Sequence, residues 1–194
     1  MNSTLKPLGA DIFLVENLFD AALCQHIREI AECCSFKTAG IELGTVDDRI
    51  RSNDLLYLGE GNDLMRSTDR LVLGRVAIIQ RLLYEHYGIK FPHSESCSIL
   101  RYRSGQYYKR HVDNLLLESR LQEAAQGVPT RDVSVVGYLN DDFEGGETFF
   151  DRQDIKVKPK QGAVLVFPAY YTYPHQSLPV TQGTKYAFST WLFH

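Results

Sequence analysis

Residues 132–167, DVSVVGYLNDDFEGGETFFDRQDIKVKPKQGAVLVF, carry the pattern that decides the fold. Apolar and polar residues alternate over short runs in this stretch, which is typical of half-buried β-strands. The runs that we predict as strands are Asp132–Leu139, Glu147–Phe150, Ile155–Val157 and Ala163–Phe167. Turn residues separate them, at Asn140-Asp141-Asp142, at Gly145-Gly146 and from Pro159 to Gly162. The stretch therefore predicts a β-rich unit of short strands joined by turns.

The same period of two extends over the whole part of the chain after Pro92. The further strands that it predicts are Ser96–Arg103, Tyr107–Asp113, Thr172–His175 and Lys185–Phe193. A long run of short strands closes into a sandwich or a barrel. Because helical segments precede the strands, the predicted fold class is α+β, mainly β.

Two helices are predicted before the strands. Asp20 can cap the first, in which apolar residues from Leu23 to Cys34 recur at helical spacing. The second runs from Asn62 to Tyr87, and Gly88 follows it as a stop signal. One domain accounts for residues 1–194, with helical support at about 15–90 and a β-rich core at about 95–194.

Two polar stretches have no clear element. Lys37–Glu60 contains several glycines and lies between the helices, so it is either a lid over a cavity or an ordinary surface loop. Asn114–Thr130 is too long for a tight turn, and we expect an ordered insertion or a flap there. Whether either stretch acts as a lid is left open.

Composition excludes several classes of protein. The 194 residues include 21 Lys+Arg and 24 Asp+Glu, which gives a formal net charge of −3. The sequence contains no dense run of basic residues of the kind that binds nucleic acids or membrane surfaces. No apolar stretch approaches the roughly 20 residues of a membrane helix, and the first residues lack the layout of a secretory signal. The four cysteines form no Cys-x-x-Cys pair. We therefore expect reduced cysteines and a cytoplasmic location.

Three residues of the β-rich half suggest a metal site. His111 and Asp113 are two apart in a predicted strand, so their side chains project from one face with backbones about 6.6 Å apart. His175 lies in another predicted strand. Two histidines and a carboxylate on one face of a metal form the facial triad of non-haem Fe(II) oxygenases. A hydrogen-bonded His–Asp pair without a metal produces the same short pattern, so the pair alone does not decide.

Lys185 favours the oxygenase interpretation. It opens the last predicted strand, where a cation could meet the far carboxylate of a dicarboxylic co-substrate that chelates the metal. A solvated surface lysine is the alternative. Ser189 lies on the same face of the strand, which favours a partly buried position for the lysine.

Taken in order, these residues resemble a known family. The elements that carry the resemblance are Tyr102, His111-x-Asp113, Tyr138-Leu139-Asn140, Gly145-Gly146-Glu147-Thr148, Gly162–Phe167, His175, Lys185 and Trp191. Their order is similar to that of the prolyl 4-hydroxylase-type 2-oxoglutarate/Fe(II) dioxygenases. The His-Val-Asp-Asn and Tyr-Leu-Asn elements resemble the oxygen-sensing prolyl hydroxylases in particular, although those enzymes carry arginine at the position of Lys185.

The resemblance implies a double-stranded β-helix fold and a role for each matched residue. It implies that His111, Asp113 and His175 bind iron and form the catalytic centre, and that Lys185 pairs with the C5 carboxylate of 2-oxoglutarate. The other residues that it assigns to the co-substrate are Tyr102, at the same carboxylate, Tyr138, near the C1 end, and Ser189. The residues that it assigns to the prime substrate are Arg131 and Trp191.

The function that the resemblance implies is hydroxylation of a C–H bond with Fe(II), 2-oxoglutarate and O2, with release of succinate and CO2 and with ascorbate as the reductant. The expected prime substrate is a prolyl residue in a peptide or protein, and a free amino acid or other small molecule is the alternative. A non-catalytic β-barrel binding module and a zinc hydrolase are alternatives from other classes, and a zinc hydrolase would give Lys185 no role. We expect neither a nucleic-acid nor a membrane partner, and the oligomeric state is left open.

Overall fold

The computed structural model describes residues 3–41, 46–114, 124–127 and 129–194. Both stretches that the sequence leaves without an element lie partly outside these ranges. Residues 42–45 fall within Lys37–Glu60, and residues 115–123 and 128 fall within Asn114–Thr130. The question of a flap over residues 114–130 therefore concerns mainly residues outside the described part of the chain.

The two predicted helices are present, within two residues of the predicted ends, with the predicted signals at Asp20 and Gly88. Helix α1 spans Ala21–Glu32, and the Asp20 carboxylate accepts a hydrogen bond from the Leu23 amide at 2.8 Å. Helix α2 spans Asp63–Tyr87 and ends at Gly88, which adopts a left-handed backbone with φ of 69°. Neither described helix combines the length and the apolarity that crossing a bilayer requires.

The strands form two main sheets in which every pairing is antiparallel. In chain order they are β1 (Lys6–Gly9), β2 (Ile12–Val15), β3 (Lys37–Thr38), β4 (Asp54–Tyr57), β5 (His93–Ser94), β6 (Ser98–Arg103), β7 (Tyr108–His111), β8 (Val133–Tyr138), β9 (Glu144–Gly145), β10 (Thr148–Phe150), β11 (Ile155–Val157), β12 (Val164–Pro168), β13 (His175–Ser177), β14 (Val180–Gln182) and β15 (Thr184–Phe193). A nine-stranded sheet has the order β1-β2-β12-β8-β15-β6-β4-β3, with β5 paired to β15. A four-stranded sheet has the order β11-β10-β13-β7, and β14 pairs with β9.

The predicted succession of strands in the second half is present, and one of its strands is displaced. The predicted strand Thr172–His175 is wrong, because the strand begins at His175 and runs to Ser177. Residues before it form a turn that is closed by a hydrogen bond from the Tyr173 amide to the Tyr170 carbonyl at 2.9 Å. Pro174, which has no amide hydrogen, then separates this turn from the strand.

The first part of the chain contributes strands as well as helices. The apolar run Ile12–Val15, which shows no alternation, forms β2 and pairs with β12 towards one edge of the nine-stranded sheet. Strand β4 pairs with β6 on the other side of this sheet. The region predicted as helical support therefore also completes the larger sheet.

Alternation along the strands divides the side chains of the nine-stranded sheet between two cores. Ile99 and Phe188 belong to the core that includes buried residues of both helices. Their chain neighbours Leu100 and Ala187 belong to a second core, which contains residues of both sheets. The result is a sandwich of two sheets with helices packed on the outside of one of them, as the predicted order of helices and strands indicates.

Gly137 provides a test of this packing. It lies opposite Phe188 in the β8–β15 register, and a Cβ atom at Gly137 would lie 1.9 Å from a ring carbon of that buried phenylalanine. We expect G137A to lower the free energy of unfolding by about 2 kcal/mol or more, because the ring has to move within a packed core. Chemical denaturation with urea measures the change.

Gly74 is the matched control for the same substitution. It is exposed on α2, and a Cβ atom there would have no neighbour within 4 Å. We expect G74A to raise the free energy of unfolding by about 0.5–1 kcal/mol, because alanine is the better helix former. Equal effects of the two substitutions would contradict the packing of Phe188 against β8.

Candidate metal centre

A cavity of about 380 Å³ lies between the two sheets. Four alternate residues of β15 line it, namely Lys185, Ala187, Ser189 and Trp191. This spacing is the one that a period of two requires for residues on one face of a strand. His111 and His175, from the four-stranded sheet, line the same cavity. The fold thus brings the two predicted histidines and the predicted lysine to one space.

His111 and His175 are direct cross-strand partners. Strands β7 and β13 pair with His111 opposite His175, and the ring centroids are 4.3 Å apart. Asp113 follows β7, and its Oδ1 lies 3.4 Å from Nε2 of His111 and 3.7 Å from Nε2 of His175. The ligating atoms of all three residues lie within 4.8 Å of one another. The three side chains can therefore bind one divalent ion from one side.

Backbone carbonyls set the orientation of both imidazoles. Nδ1 of His111 lies 2.8 Å from the carbonyl oxygen of Lys109, and Nδ1 of His175 lies 3.2 Å from that of Tyr173. Because a carbonyl oxygen only accepts, we assign the proton of each ring to Nδ1. Each Nε2 then keeps its lone pair on the side of Asp113, which is the tautomer that a metal ligand needs.

The carboxylate of Asp113 is held in place by a hydrogen bond from a neighbouring hydroxyl. Ser134 Oγ donates a hydrogen bond of 2.7 Å to Oδ2, which leaves Oδ1 to face the histidines. Burial raises the pKa of this carboxyl, but the two imidazoles, when they are protonated, and the Ser134 hydroxyl outweigh burial and hold the pKa well below its usual range. The prediction that Asp113 shares a strand with His111 is wrong, because β7 ends at His111 and Asp113 lies in the bend that follows.

Aromatic rings pack around the histidines. The His175 ring centroid lies 5.5 Å from that of Phe150 and 4.7 Å from that of Phe167, and burial lowers the pKa of His175 to about 4. Tyr108 stacks on His111 with ring centroids 3.5 Å apart. His175 is therefore a neutral ring at neutral pH, as metal binding requires.

Lys185 is a buried cation in the same cavity. Its side chain lies opposite Tyr102 in the β15–β6 register, and Nζ donates to the Gly146 carbonyl at 2.7 Å and to Ser177 Oγ at 3.0 Å. Burial lowers the pKa of Lys185 to about 7, and the charge of Glu147 opposes this shift. Among the described residues, Lys185 forms no ion pair. A carboxylate of a bound ligand is the group that such a buried ammonium lacks.

The other three residues predicted to contact a co-substrate differ in their exposure to the cavity, which Tyr102 lines. Ser189 lines it, whereas Tyr138 is not among the lining residues and is 1% exposed. The Tyr138 hydroxyl lies 2.9 Å from Oγ1 of Thr148, and its ring centroid is 5.7 Å from Nζ of Lys185. Tyr138 therefore supports Thr148 and Lys185, which line the cavity, without lining it itself.

The two residues predicted to contact the prime substrate lie side by side in the cavity wall. The Arg131 guanidinium carbon is 3.6 Å from the ring centroid of Trp191. Nε and Nη2 of Arg131 donate to the Glu95 carboxylate at 2.6 and 2.9 Å, and Nη1 donates to the Asp113 carbonyl at 3.1 Å. All three nitrogens of this arginine are thus bonded within the protein.

Sequence reasoning missed several residues that complete the site. Ser134 could have been found, because it is a polar residue between apolar neighbours in a predicted strand, on the face that alternation directs inward. Nothing in the local pattern indicates Glu95. Arg51 lines the cavity as well. Its backbone forms an isolated β-bridge with Tyr108 of β7, which places it beside the histidine-bearing strand. The stretch Lys37–Glu60 thus borders the cavity, and its role as a lid stays a prediction.

Comparison with known proteins agrees with this geometry. Residues 97–193 match the sequence profile of the 2OG-Fe(II) oxygenase superfamily, where 2OG is 2-oxoglutarate. The matched range is half of the chain and contains His111, Asp113, His175 and Lys185. The chain belongs to this superfamily. Membership confirms the family that the order of motifs indicates, and it implies Fe(II) and 2-oxoglutarate as metal and co-substrate.

Two relatives illustrate the range of similar sequences. The "Putative prolyl 4-hydroxylase" of Acanthamoeba polyphaga mimivirus is 27% identical over 193 residues, which cover 92% of this chain and 72% of the viral protein. Human prolyl 3-hydroxylase 2 is 38% identical over 89 residues, which cover 42% of this chain and 13% of the human protein.

A solved structure extends the comparison to the fold. A prolyl hydroxylase of Trichoplax adhaerens, in complex with a peptide of the hypoxia inducible factor oxygen degradation domain, matches with a TM-score of 0.76 at 19% identity. The match covers 94% of this chain and 83% of that one. It confirms the double-stranded β-helix fold, here as two antiparallel sheets that do not close into a barrel.

Ser134 provides a test of how the oxygenase holds its carboxylate. Substitution by alanine removes the hydrogen bond to Oδ2 of Asp113. We expect S134A to bind Mn(II), a redox-stable substitute for Fe(II), about tenfold more weakly, because groups that orient metal ligands commonly contribute that much. Isothermal titration calorimetry under nitrogen measures the Kd.

Thr68 supplies the matched control. Its buried hydroxyl donates to the Leu64 carbonyl within α2 at 2.9 Å, and it does not line the cavity. T68V removes a buried hydroxyl of the same kind, and we expect it to leave the Kd for Mn(II) unchanged. The proposed role of Ser134 is contradicted if S134A and T68V bind Mn(II) as tightly as the natural protein.

Proposed function

We propose that the protein hydroxylates a prolyl residue in a peptide or protein, with 2-oxoglutarate and O2 as co-substrates and with succinate and CO2 as further products. One observation carries the proposal above all others. The His111–His175 cross-strand pair, with Asp113 beside it, shares a cavity with a buried lysine that forms no ion pair among the described residues. A metal ion chelated by a dicarboxylate would fit this arrangement, because the metal binds the three side chains and the far carboxylate of the chelator pairs with the lysine.

The donor set supports Fe(II) as the metal. Nε2 of His111, Nε2 of His175 and Oδ1 of Asp113 are the three atoms that would hold it. Two imidazoles and one carboxylate, with open positions opposite, suit Fe(II) that must also bind a co-substrate and O2. Bound iron supplies the chemistry in which oxidation of 2-oxoglutarate to succinate and CO2 is coupled to oxygen insertion into a C–H bond.

The protein's own groups would bind and orient the co-substrate. Lys185 would pair with the C5 carboxylate of 2-oxoglutarate, and Ser177, which accepts a hydrogen bond from Lys185, keeps the ammonium directed into the cavity. Tyr102 adds a hydroxyl on the neighbouring strand, and burial raises its pKa to about 12, so it stays a donor at neutral pH. The aromatic and aliphatic walls would exclude water from the reacting atoms.

The names of relatives support a prolyl residue as the substrate. Both the mimivirus protein and the human protein are named as prolyl hydroxylases, although for different ring carbons. Trp191 offers an aromatic surface in the cavity wall against which a pyrrolidine ring can pack. A free amino acid or other small molecule remains the alternative substrate, and the position of hydroxylation is open.

Three further expectations stay predictions. Ascorbate is expected to maintain the iron in its reduced state. A cytoplasmic location is supported by the four cysteines, all of which are free in the structure. A peptide or protein partner follows from the proposed substrate, and no nucleic-acid or membrane partner is expected.

Succinate formation tests the reaction class. We expect the natural protein to convert 2-oxoglutarate to succinate under air with added Fe(II) and ascorbate. H111A removes one of the three ligands, so we expect its rate to fall by at least about 100-fold. His26, which is exposed on α1, gives the control variant H26A, and its rate should equal that of the natural protein. Equal rates in H111A and the natural protein would contradict the proposed centre.

The same assay separates the candidate substrates. A proline-containing peptide should raise the rate of succinate formation and gain the mass of one oxygen atom, as measured by mass spectrometry. Stimulation by free amino acids with no response to any peptide of a proline-containing library would instead favour the small-molecule alternative.

We expect 2-oxoglutarate to bind more weakly as the pH rises, because Lys185 loses its charge. Burial lowers its pKa to about 7, so the ammonium loses its proton, and its attraction for the carboxylate, as the pH rises through 7. We expect the Kd for 2-oxoglutarate, measured by calorimetry with Mn(II) in place of Fe(II), to rise about tenfold between pH 7 and about 8.5.

Arginine at the same position serves as the control. Its guanidinium stays protonated over this range, so K185R should show a nearly constant Kd. A Kd of the natural protein that does not change with pH would contradict pairing of Lys185 with the co-substrate.

A further inference from the structure

The bonds of Arg131 point to a role in addition to the predicted contact with the substrate. Its guanidinium is bonded to Glu95 and Asp113 and stacked on Trp191. We propose that Glu95 and Arg131 form a latch that positions Asp113 for metal binding, so that Arg131 is a positioning residue for this ligand. This inference rests on the proposed metal site.

Asp113 needs such support because it lies beyond the end of β7. Its carbonyl is not part of the β7–β13 ladder, and it accepts a hydrogen bond from Nη1 of Arg131 at 3.1 Å. The next residue, Asn114, is fixed by its amide, which donates to the Ala169 carbonyl at 3.0 Å. With Ser134 on the carboxylate, Arg131 completes the set of bonds that hold the bend carrying this ligand.

Glu95 is itself rigidly held, which makes it a suitable anchor for the arginine. Its amide donates to the Trp191 carbonyl at 2.9 Å, and its carbonyl accepts from Thr190 Oγ1 at 2.6 Å. The Glu95 side chain is 20% exposed and that of Arg131 is 19% exposed. A bidentate pair shielded to this degree keeps a fixed geometry better than an exposed single contact does.

The geometry of the guanidinium suits a positioning role. Its Nε and Nη2 edge faces Glu95, Nη1 is bonded to Asp113, and one planar face lies against the Trp191 ring. These bonds use three of the five N–H donors of the guanidinium, and they fix its plane against the bend that carries Asp113. The latch therefore acts on the metal through the Asp113 backbone.

Metal affinity without any prime substrate is the readout that tests the latch. Calorimetry of Mn(II) under nitrogen compares the natural protein with E95Q, R131Q and the double variant. We expect the Kd to rise about tenfold for E95Q and 10- to 100-fold for R131Q. The double variant should match R131Q, because Glu95 acts only through Arg131 and the two effects cannot add.

Glu32 provides the matched control for the change of carboxylate to amide. It pairs with Arg101 at 2.7 Å, an arginine that is 14% exposed, and neither residue lines the cavity. We expect E32Q to leave the Kd for Mn(II) unchanged. Thermal unfolding of each metal-free variant checks that it folds, and if R131Q does not fold, E95Q and R131K decide the question. R131K keeps the charge but cannot contact both partners at once, so its Kd should also rise.

Turnover of 2-oxoglutarate in the absence of prime substrate gives a second readout. The latch predicts that E95Q raises the KM for Fe(II), while kcat for succinate formation returns to near the natural value at saturating Fe(II). The proposal is overturned if E95Q and R131Q bind Mn(II) like the natural protein and lose only the stimulation by peptide, because Arg131 then contacts the substrate. Failure of the natural protein to bind Mn(II) at all would overturn the proposed metal site together with the latch.

Discussion

The register between β7 and β13 is the constraint on which the rest of the site depends. It sets His111 opposite His175, and a slip of one residue would turn one of the two side chains to the other face of the sheet. Neighbours on both sides hold this register. Strand β10 pairs with β13, while the outer edge of β7 accepts residues 50–52, through bonds such as that from the Lys109 amide to the Ile50 carbonyl.

The nine-stranded sheet supplies the groups that complement this pair. Ser134 on β8 and Lys185 on β15 both point between the sheets. The serine hydroxyl holds the Asp113 carboxylate, and the lysine places a cation in the same cavity as the histidines. Burying such groups costs free energy unless each has a partner. Asp113 accepts a hydrogen bond from Ser134, and a bound metal ion would neutralise its charge. Among the described residues, the hydrogen-bond acceptors of the Lys185 ammonium are the neutral groups Gly146 and Ser177. The fold thus keeps a buried positive charge for a ligand to neutralise.

The sequence predicts the chemistry of this site better than its exact geometry. The N-cap at Asp20 and the stop signal at Gly88 are local signals, and the structure contains both. The His-x-Asp spacing correctly joins the two residues, but for a reason other than strand alternation, because Asp113 lies in a bend. Contacts such as Glu95 with Arg131 join distant parts of the chain, and no local pattern specifies them. The strand at Ile12–Val15 is not predicted, for a related reason. A short apolar run shows no period, and only its pairing with β12 defines it as a strand.

The position of a bound metal tests the central claim most directly. Crystals grown with Mn(II) and 2-oxoglutarate under nitrogen allow the ion to be located by its anomalous scattering. The account predicts one ion within coordination distance, about 2 Å, of Nε2 of His111, Nε2 of His175 and Oδ1 of Asp113, with the C5 carboxylate of 2-oxoglutarate at Lys185. An ion at another position, or an ion bound by these residues with the co-substrate carboxylate away from Lys185, would contradict it.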